Sequence, residues 1–281
     1  MGKRRLGVRR LESVLDNLLY HDPLNGVNAS PFVLKDPDRY YLEESFLRRP
    51  AINGDIGVTT NQDFEILGTN ISTDDVTFST TVAGIQLQTD GANGDSVIVL
   101  PHLDTNQTAW TGILWGTENE VNWECLIRTD ASVAGMGFWA GLKTSNTTSY
   151  ATNDNQIYFL YSSTDDAGAL TANGNLHVVY SVAGTDYITN LGIVVAAATN
   201  YRLGISIDAN RQASVYVNGV QYSLTSATTA GGVLTGEGAD KSLALTNDVD
   251  LIPYVGVIAR TGAEKTLNLS YEKISRKIFE S

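Results

Sequence analysis

The stretch from Tyr201 to Leu224, YRLGISIDANRQASVYVNGVQYSL, decides how the chain is read. Tyr201, Leu203, Ile205 and Ile207 alternate with Arg202, Gly204, Ser206 and Asp208, the period-2 pattern of a strand with one buried face. Asp208-Ala209-Asn210-Arg211 carries turn chemistry, and Val215 and Val217 then alternate with Ser214 and Tyr216. Asn218-Gly219 is a two-residue hairpin signal, because both residues tolerate positive φ. A third short strand over Val220–Leu224 completes an antiparallel meander that carries no catalytic motif.

Outward from this meander the same pattern continues. Strands are expected near Phe64–Leu67, Val76–Phe78, Gly84–Gln88, Ser96–Leu100, Gly112–Trp115, Asn122–Arg128 and Gly137–Lys143. Others are expected near Gln156–Tyr161, Leu176–Ser181, Asp186–Asn190, Leu243–Thr246, Ile252–Arg260 and Thr266–Phe279. Asp90-Gly91, Asn93-Gly94 and Asn173-Gly174 punctuate them as turns. About a dozen strands with few helical patterns predict two packed antiparallel sheets, an all-β sandwich over residues 57–281. The 26 glycines and 13 tyrosines agree with strands joined by tight turns.

The segment before the sandwich has a different character. Residues 1–22 begin with Lys3, Arg4, Arg5, Arg9 and Arg10 and hold a short amphipathic face in Leu11, Val14, Leu15, Leu18 and Leu19. Residues 23–56 contain Pro23, Pro31, Pro37 and Pro50 together with Phe32, Tyr40, Tyr41 and Phe46. That mixture reads as an extended strap whose aromatic residues anchor on a surface, with a helical turn or two expected over Tyr40–Arg49. Residues 51–281 carry 10 basic and 24 acidic side chains, so a basic arm precedes an acidic body. The charge of the body argues against nucleic-acid binding and against an anionic membrane. No stretch reaches the ~18 apolar residues of a membrane span, and the opening residues do not form a signal peptide.

The meander resembles the back sheet of concanavalin A-like jelly rolls, where a strand, a turn and an "xYVNG" strand recur; FWAGLKT, IYFLYSS and IPYVGVIAR fit the same pattern. The resemblance implies a scaffold shared by lectins, glycanases and inert structural proteins. The basic opening, the short helix and DPDRYYLEESFLRRP resemble N-terminal regions of structural proteins of tailed phages, in which such an arm attaches a body to the particle. That resemblance implies a capsid decoration or cement protein on the virion surface, assembled in the host cytoplasm. Lys3, Arg4, Arg5, Arg9, Arg10, Leu11, Leu15 and Leu18 would dock it on the major capsid protein. A homo-oligomer is expected, a trimer suiting threefold positions.

The chemistry of the body is sparse. Cys125 is the single cysteine, which excludes an internal disulfide, and His21, His102 and His177 lie in no metal-ligand spacing. Asp165-Asp166 and Asn247-Asp248-Val249-Asp250 read as turns rather than Ca²⁺ loops, and no metal or cofactor is expected. Glu118, Glu120 and Glu124 would share one face if Thr117–Glu124 were extended, beside Trp115 and Trp123. Those two tryptophans are the candidate contacts for a host surface glycan, with Trp110 and Trp139 as further candidates for stacking. No Glu-x-Asp-x-x-Glu strand, nucleophile elbow or phosphate loop occurs, so no enzyme is expected.

Overall fold

A computed structural model describes residues 38–47, 52–53, 64–101, 114–144, 154–164, 170, 174–224, 232–233 and 243–278. The basic arm, the Leu11–Leu19 face and Phe32 lie outside the described residues, as do His21, His102, Trp110 and Asp165-Asp166. In chain order the strands are β1 (Arg39–Glu44), β2 (Ile52–Asn53), β3 (Phe64–Thr69), β4 (Val76–Phe78), β5 (Ile85–Gln88) and β6 (Ser96–Pro101). They continue with β7 (Asn122–Thr129), β8 (Met136–Lys143), β9 (Gln156–Ser162), β10 (Asn175–Val182), β11 (Thr185–Val194) and β12 (Asn200–Ile207). The last are β13 (Ala213–Val217), β14 (Val220–Tyr222), β15 (Gly232–Val233), β16 (Ile252–Ala259) and β17 (Thr266–Lys277).

These strands form two sheets. The eight-stranded sheet runs β14-β13-β12-β7-β17-β5-β4, with β1 also paired to β17. The nine-stranded sheet runs β15-β11-β10-β9-β8-β16-β6-β3-β2. The meander is β12-β13-β14, and its hairpin turns at Asn218 (φ 52°) and Gly219 (φ 85°), both in the left-handed region. Leu203, Ile205, Val215 and Val217 face the interior, as alternation requires. Trp123, Cys125 and Ile127 of β7 join them, against Phe138, Ala140, Phe159, Val178, Val255 and Val257 of the other sheet.

Four expectations are corrected. Tyr40–Arg49 begins as a strand, not a helix: Arg39–Glu44 runs antiparallel along β17, where Tyr41 pairs with Ser275 and Glu43 with Lys273. Pairing a ready sheet edge satisfies more backbone groups than two isolated helical turns can. Beyond it Phe46 is fully buried and stacks at 5.4 Å on Phe64, while Tyr40 leans on Trp115 at 6.3 Å. Leu243–Thr246 forms no strand, nor do the described residues Leu114 and Trp115; the nearest pairing is a single bridge between Gly116 and Asp250. Thr117–Asn119 is a 3₁₀ turn and Glu120 has φ 49°, so Glu118, Glu120 and Glu124 do not share a strand face.

Strand β17 carries one irregularity with large consequences. Its register against β7 shifts between Leu269 and Tyr271, so the alternation changes phase. Leu267 and Leu269 point inward, and after the shift Glu272 and Ile274 do so, opposite Cys125 and Trp123. A carboxylic acid therefore sits in the sandwich core.

Candidate functional site

The central strands of the nine-stranded sheet are buried on both faces. Its strands read as nearly continuous apolar runs, SVIVLP, MGFWAGLK, QIYFLYS and IPYVGVIA, as expected of strands covered on two sides. On the face turned away from the sandwich core, Ile98, Leu100, Trp139, Tyr158, Leu160, Val179, Tyr254 and Ile258 form a second apolar cluster with Leu170.

Registers place this face in rows. One row crosses Asp186, Ser181, Gln156 and Lys143. The next crosses Ile188, Val179, Tyr158, Gly141 and Tyr254, and a third crosses Asn190, His177, Leu160, Trp139 and Gly256. The glycines matter because the rings lie over them. A Cβ on Gly256 would sit 2.6 Å from the Trp139 indole, and one on Gly141 would sit 2.6 Å from the Tyr158 Cβ. Tyr158 and Tyr254 meet edge-on at 5.9 Å, and the Lys143 ammonium stands 4.9 Å from the Tyr254 ring centre. Burial lowers the Lys143 pKa to about 8 and pushes both phenols up.

Polar atoms on this face fall into two sets. Gln156 Nε2 donates to Ser181 Oγ at 3.0 Å, and Ser181 donates in turn to Asp186. His177 Nδ1 lies 3.0 Å from the Asn175 carbonyl. The remaining atoms of these groups, Gln156 Oε1 and His177 Nε2, and the hydroxyl of Tyr254 find no hydrogen-bond partner among the described residues, although all three side chains are buried. Such an atom is expensive inside a protein, on the order of 1–3 kcal/mol. The three lie in successive rows of one sheet face, up to three strands apart, among the rings of Trp139, Tyr158 and Tyr254.

The residues singled out from the sequence lie elsewhere. Trp123 has no exposure and donates from Nε1 to Glu272 at 2.9 Å, inside the core. Trp115 is 4 % exposed, so neither indole is a solvent-facing platform for a sugar, a condition that the rings of Trp139, Tyr158 and Tyr254 share. Their side chains point inward because Trp123 lies in register with Ile205 and Ile274 of its two neighbours. Glu124 lies on the opposite face of β7, accepts from the Tyr271 hydroxyl at 2.7 Å and pairs with Lys273 at 3.0 Å. Glu120 pairs with Lys277 at 2.6 Å. Sequence reasoning named Trp139 as a stacking candidate but missed Tyr158, Tyr254, Gln156 and Lys143, and it weighed His177 only as a metal ligand. The available signal was the pair of glycines facing aromatic positions on neighbouring strands.

No protein-family model matches the chain, and no curated protein matches it. Among solved structures it is similar to a protein of unknown function from Shewanella oneidensis MR-1, at 11 % identity and a TM-score of 0.50, over 100 % of this chain and 98 % of that one. It is also similar to the carbohydrate recognition domain of Emp47p, at 6 % identity and a TM-score of 0.51, over 87 % of this chain and 99 % of that one. At these identities the likeness concerns the fold, a concanavalin A-like antiparallel sandwich of the kind found in lectins.

Proposed function

We propose that the protein is a non-enzymatic carbohydrate-binding protein that takes a glycan on the outer face of its nine-stranded sheet. The observation that carries this reading is the set of unpartnered polar atoms on Gln156, His177 and Tyr254, beside the rings of Trp139, Tyr158 and Tyr254. A sugar answers both demands, since its hydroxyls meet polar atoms while its C–H faces meet aromatic rings. Because these groups are buried, a ligand reaches them only through a rearrangement. The fold supports the reading as a scaffold that a carbohydrate recognition domain also uses.

The carboxylates weigh toward binding rather than hydrolysis. A retaining glycosidase needs two carboxyl groups about 5–5.5 Å apart across the scissile bond. Glu124 is held by Tyr271 and Lys273, and Glu272 faces the core from the other side of the same sheet. A broad glycan array is the test. Wild-type protein should retain at least one class of glycan, and Tyr254→Phe should weaken it about tenfold with unchanged circular dichroism, the loss of one hydrogen bond. A blank array at high protein concentration would sink the reading.

A second reading rests on the charge asymmetry of the sequence. Residues 1–10 hold five basic side chains and no acid, whereas residues 51–281 carry a net charge of −14. We propose on this basis that the body is carried on a virus particle as a capsid decoration protein, docked by Lys3, Arg4, Arg5, Arg9 and Arg10 and the Leu11, Leu15, Leu18 face. The two readings are compatible, one concerning the sheet and the other the arm. Deleting residues 1–22 should leave a folded body that no longer appears on particles; full occupancy by the truncated body would remove the arm from this role.

A further inference from the structure

We infer that the protein forms a two-fold dimer by pairing β1 with β1 of a second copy, edge to edge, so that the two eight-stranded sheets become one. This goes beyond the glycan reading and does not depend on it. Strand β1 is paired with β17 alone, so among the described strands its other edge has no neighbour. The strands that end the two sheets, β4, β14, β2 and β15, are only two or three residues long, whereas β1 runs for six. Short edges protect a sheet against pairing with another chain, and a six-residue edge without proline lacks that protection.

The register of such a pairing follows from hydrogen-bond parity. The Ile278 amide donates to the Asp38 carbonyl at 2.7 Å, so the even-numbered residues of β1 turn their backbone groups toward β17. Arg39, Tyr41 and Glu43 therefore direct theirs to the opposite edge. A two-fold axis at Tyr41 sets Tyr41 against Tyr41 of the second copy and Arg39 against Glu43. It keeps inner faces with inner faces and makes about six new backbone hydrogen bonds. Charge favours the same register, because Glu43 then lies between Lys273 of its own chain and Arg39 of the other. Moving the axis to Leu42 would instead set Glu43 against Tyr41. The one like-charged approach, Asp38 to Glu44 of the second copy, falls at the strand's end, since Asp38 precedes β1.

Apolar exposure marks the same edge. Seven large apolar side chains are exposed among the described residues, and Tyr40, Leu47, Leu114 and Ile278 gather here. Ile278 is bonded to Asp38, Leu114 accepts from Arg276, which pairs with Tyr40, and Leu47 follows Phe46 just beyond the strand. In the two-fold register Tyr40 lies against Leu42 of the second copy on the inner face. Arg39 donates from Nε to the Ser275 hydroxyl at 3.2 Å and from Nη2 to the Glu120 carbonyl, which holds its guanidinium on the outer face, where Glu43 also stands. Both copies use the same patch, so the contact closes at two chains.

Sedimentation of the full chain between about 1 and about 100 µM is the experiment, and it should show a dimer in reversible exchange with monomer. Glu43→Pro removes an outward N–H and none that bonds β17, so it should give a monomer with unchanged circular dichroism. Arg39→Glu brings acid to acid across the pairing and Glu43→Arg brings cation to cation, and each should weaken self-association about tenfold. Mixed in equal amounts, these two variants should associate with each other as strongly as wild type does, because both contacts are then complementary. A wild type that stays monomeric at every concentration overturns the inference, as does a dimer indifferent to Glu43→Pro or a mixture that recovers nothing. A monomer whose Glu43 amide is protected from hydrogen exchange would show the edge covered by the chain itself, and overturns it too. None of these outcomes touches the glycan reading.

Discussion

Glu272→Gln should stabilise the protein above pH 7 by about 3 kcal/mol and leave its stability nearly unchanged at pH 4. Glu272 is fully buried, accepts from Trp123 Nε1 through Oε1, and has no partner for Oε2 among the described residues. Desolvation raises its pKa from 4.5 to about 7, partly opposed by the tryptophan bond. A carboxyl whose pKa is raised on folding binds its proton more tightly in the folded state. Its contribution is therefore complete below about pH 4.5, declines as pH rises toward 7, and levels off above that. At 1.36 kcal/mol per unit the difference comes to about 3 kcal/mol. Glutamine keeps the oxygen that accepts from Trp123 and cannot ionise. Around the site Cys125 lies opposite, its thiol pushed up by burial first and by Glu272 and Glu124 next, and Glu44 lies in register on β1 with its carboxylate accepting from the Phe46 amide. Urea titrations of both proteins from pH 4 to pH 8 measure the effect. Curves that stay parallel across that range would show that Glu272 does not titrate inside the core.

Phe46→Ala should cost about 3–5 kcal/mol, the usual loss for emptying a buried aromatic site, and lower the melting temperature by roughly 10 °C. Phe46 is a fully buried anchor of the N-terminal strap, held at φ 49° and packed on Phe64. Its loss removes the buried anchor just beyond β1, leaving the pairing with β17 and the contact of Tyr40 with Trp115 to hold the strand. Limited proteolysis should therefore cut the variant within residues 38–47 under conditions that spare the wild type. An unchanged melting temperature would exclude Phe46 from the core.

The meander and most strands were legible because one buried face leaves a period of two, and Asn218-Gly219 marks its turn without tertiary help. The outer face of the nine-stranded sheet was hard to read for the opposite reason. Where both faces are covered, as in FWAGL and IYFLY, alternation disappears and nothing local tells Trp139 from Phe138 or Tyr158 from Phe159. The core carboxyl was hidden by the phase change after Leu269. Alternation carried straight through would send Tyr271 and Lys273 inward and Glu272 out. Trp115 and Trp123 misled because a tryptophan near acids suits a sugar cleft and a sandwich interior equally, and only pairing partners decide. The strand over Tyr40–Glu44 depends on β17, more than two hundred residues away in sequence, which no local propensity reports.

The position of β17 bears on how the protein is made. It lies between β7 on one side and β5 and β1 on the other, although every one of them precedes it by many strands. As the chain leaves the ribosome, the eight-stranded sheet exists as separate pieces, β4-β5 and β7-β12-β13-β14, until residues 266–277 emerge. Through that interval the backbone edges of β5 and β7 have no neighbour, and Leu87 and Ile127 lack the strand that covers them. Pairing at such long range is slow, and open edges with apolar neighbours invite aggregation. Completion of the eight-stranded sheet is thus postponed until β17 has been made, and a nascent chain stalled before Thr266 leaves those edges open rather than forming a smaller closed sheet.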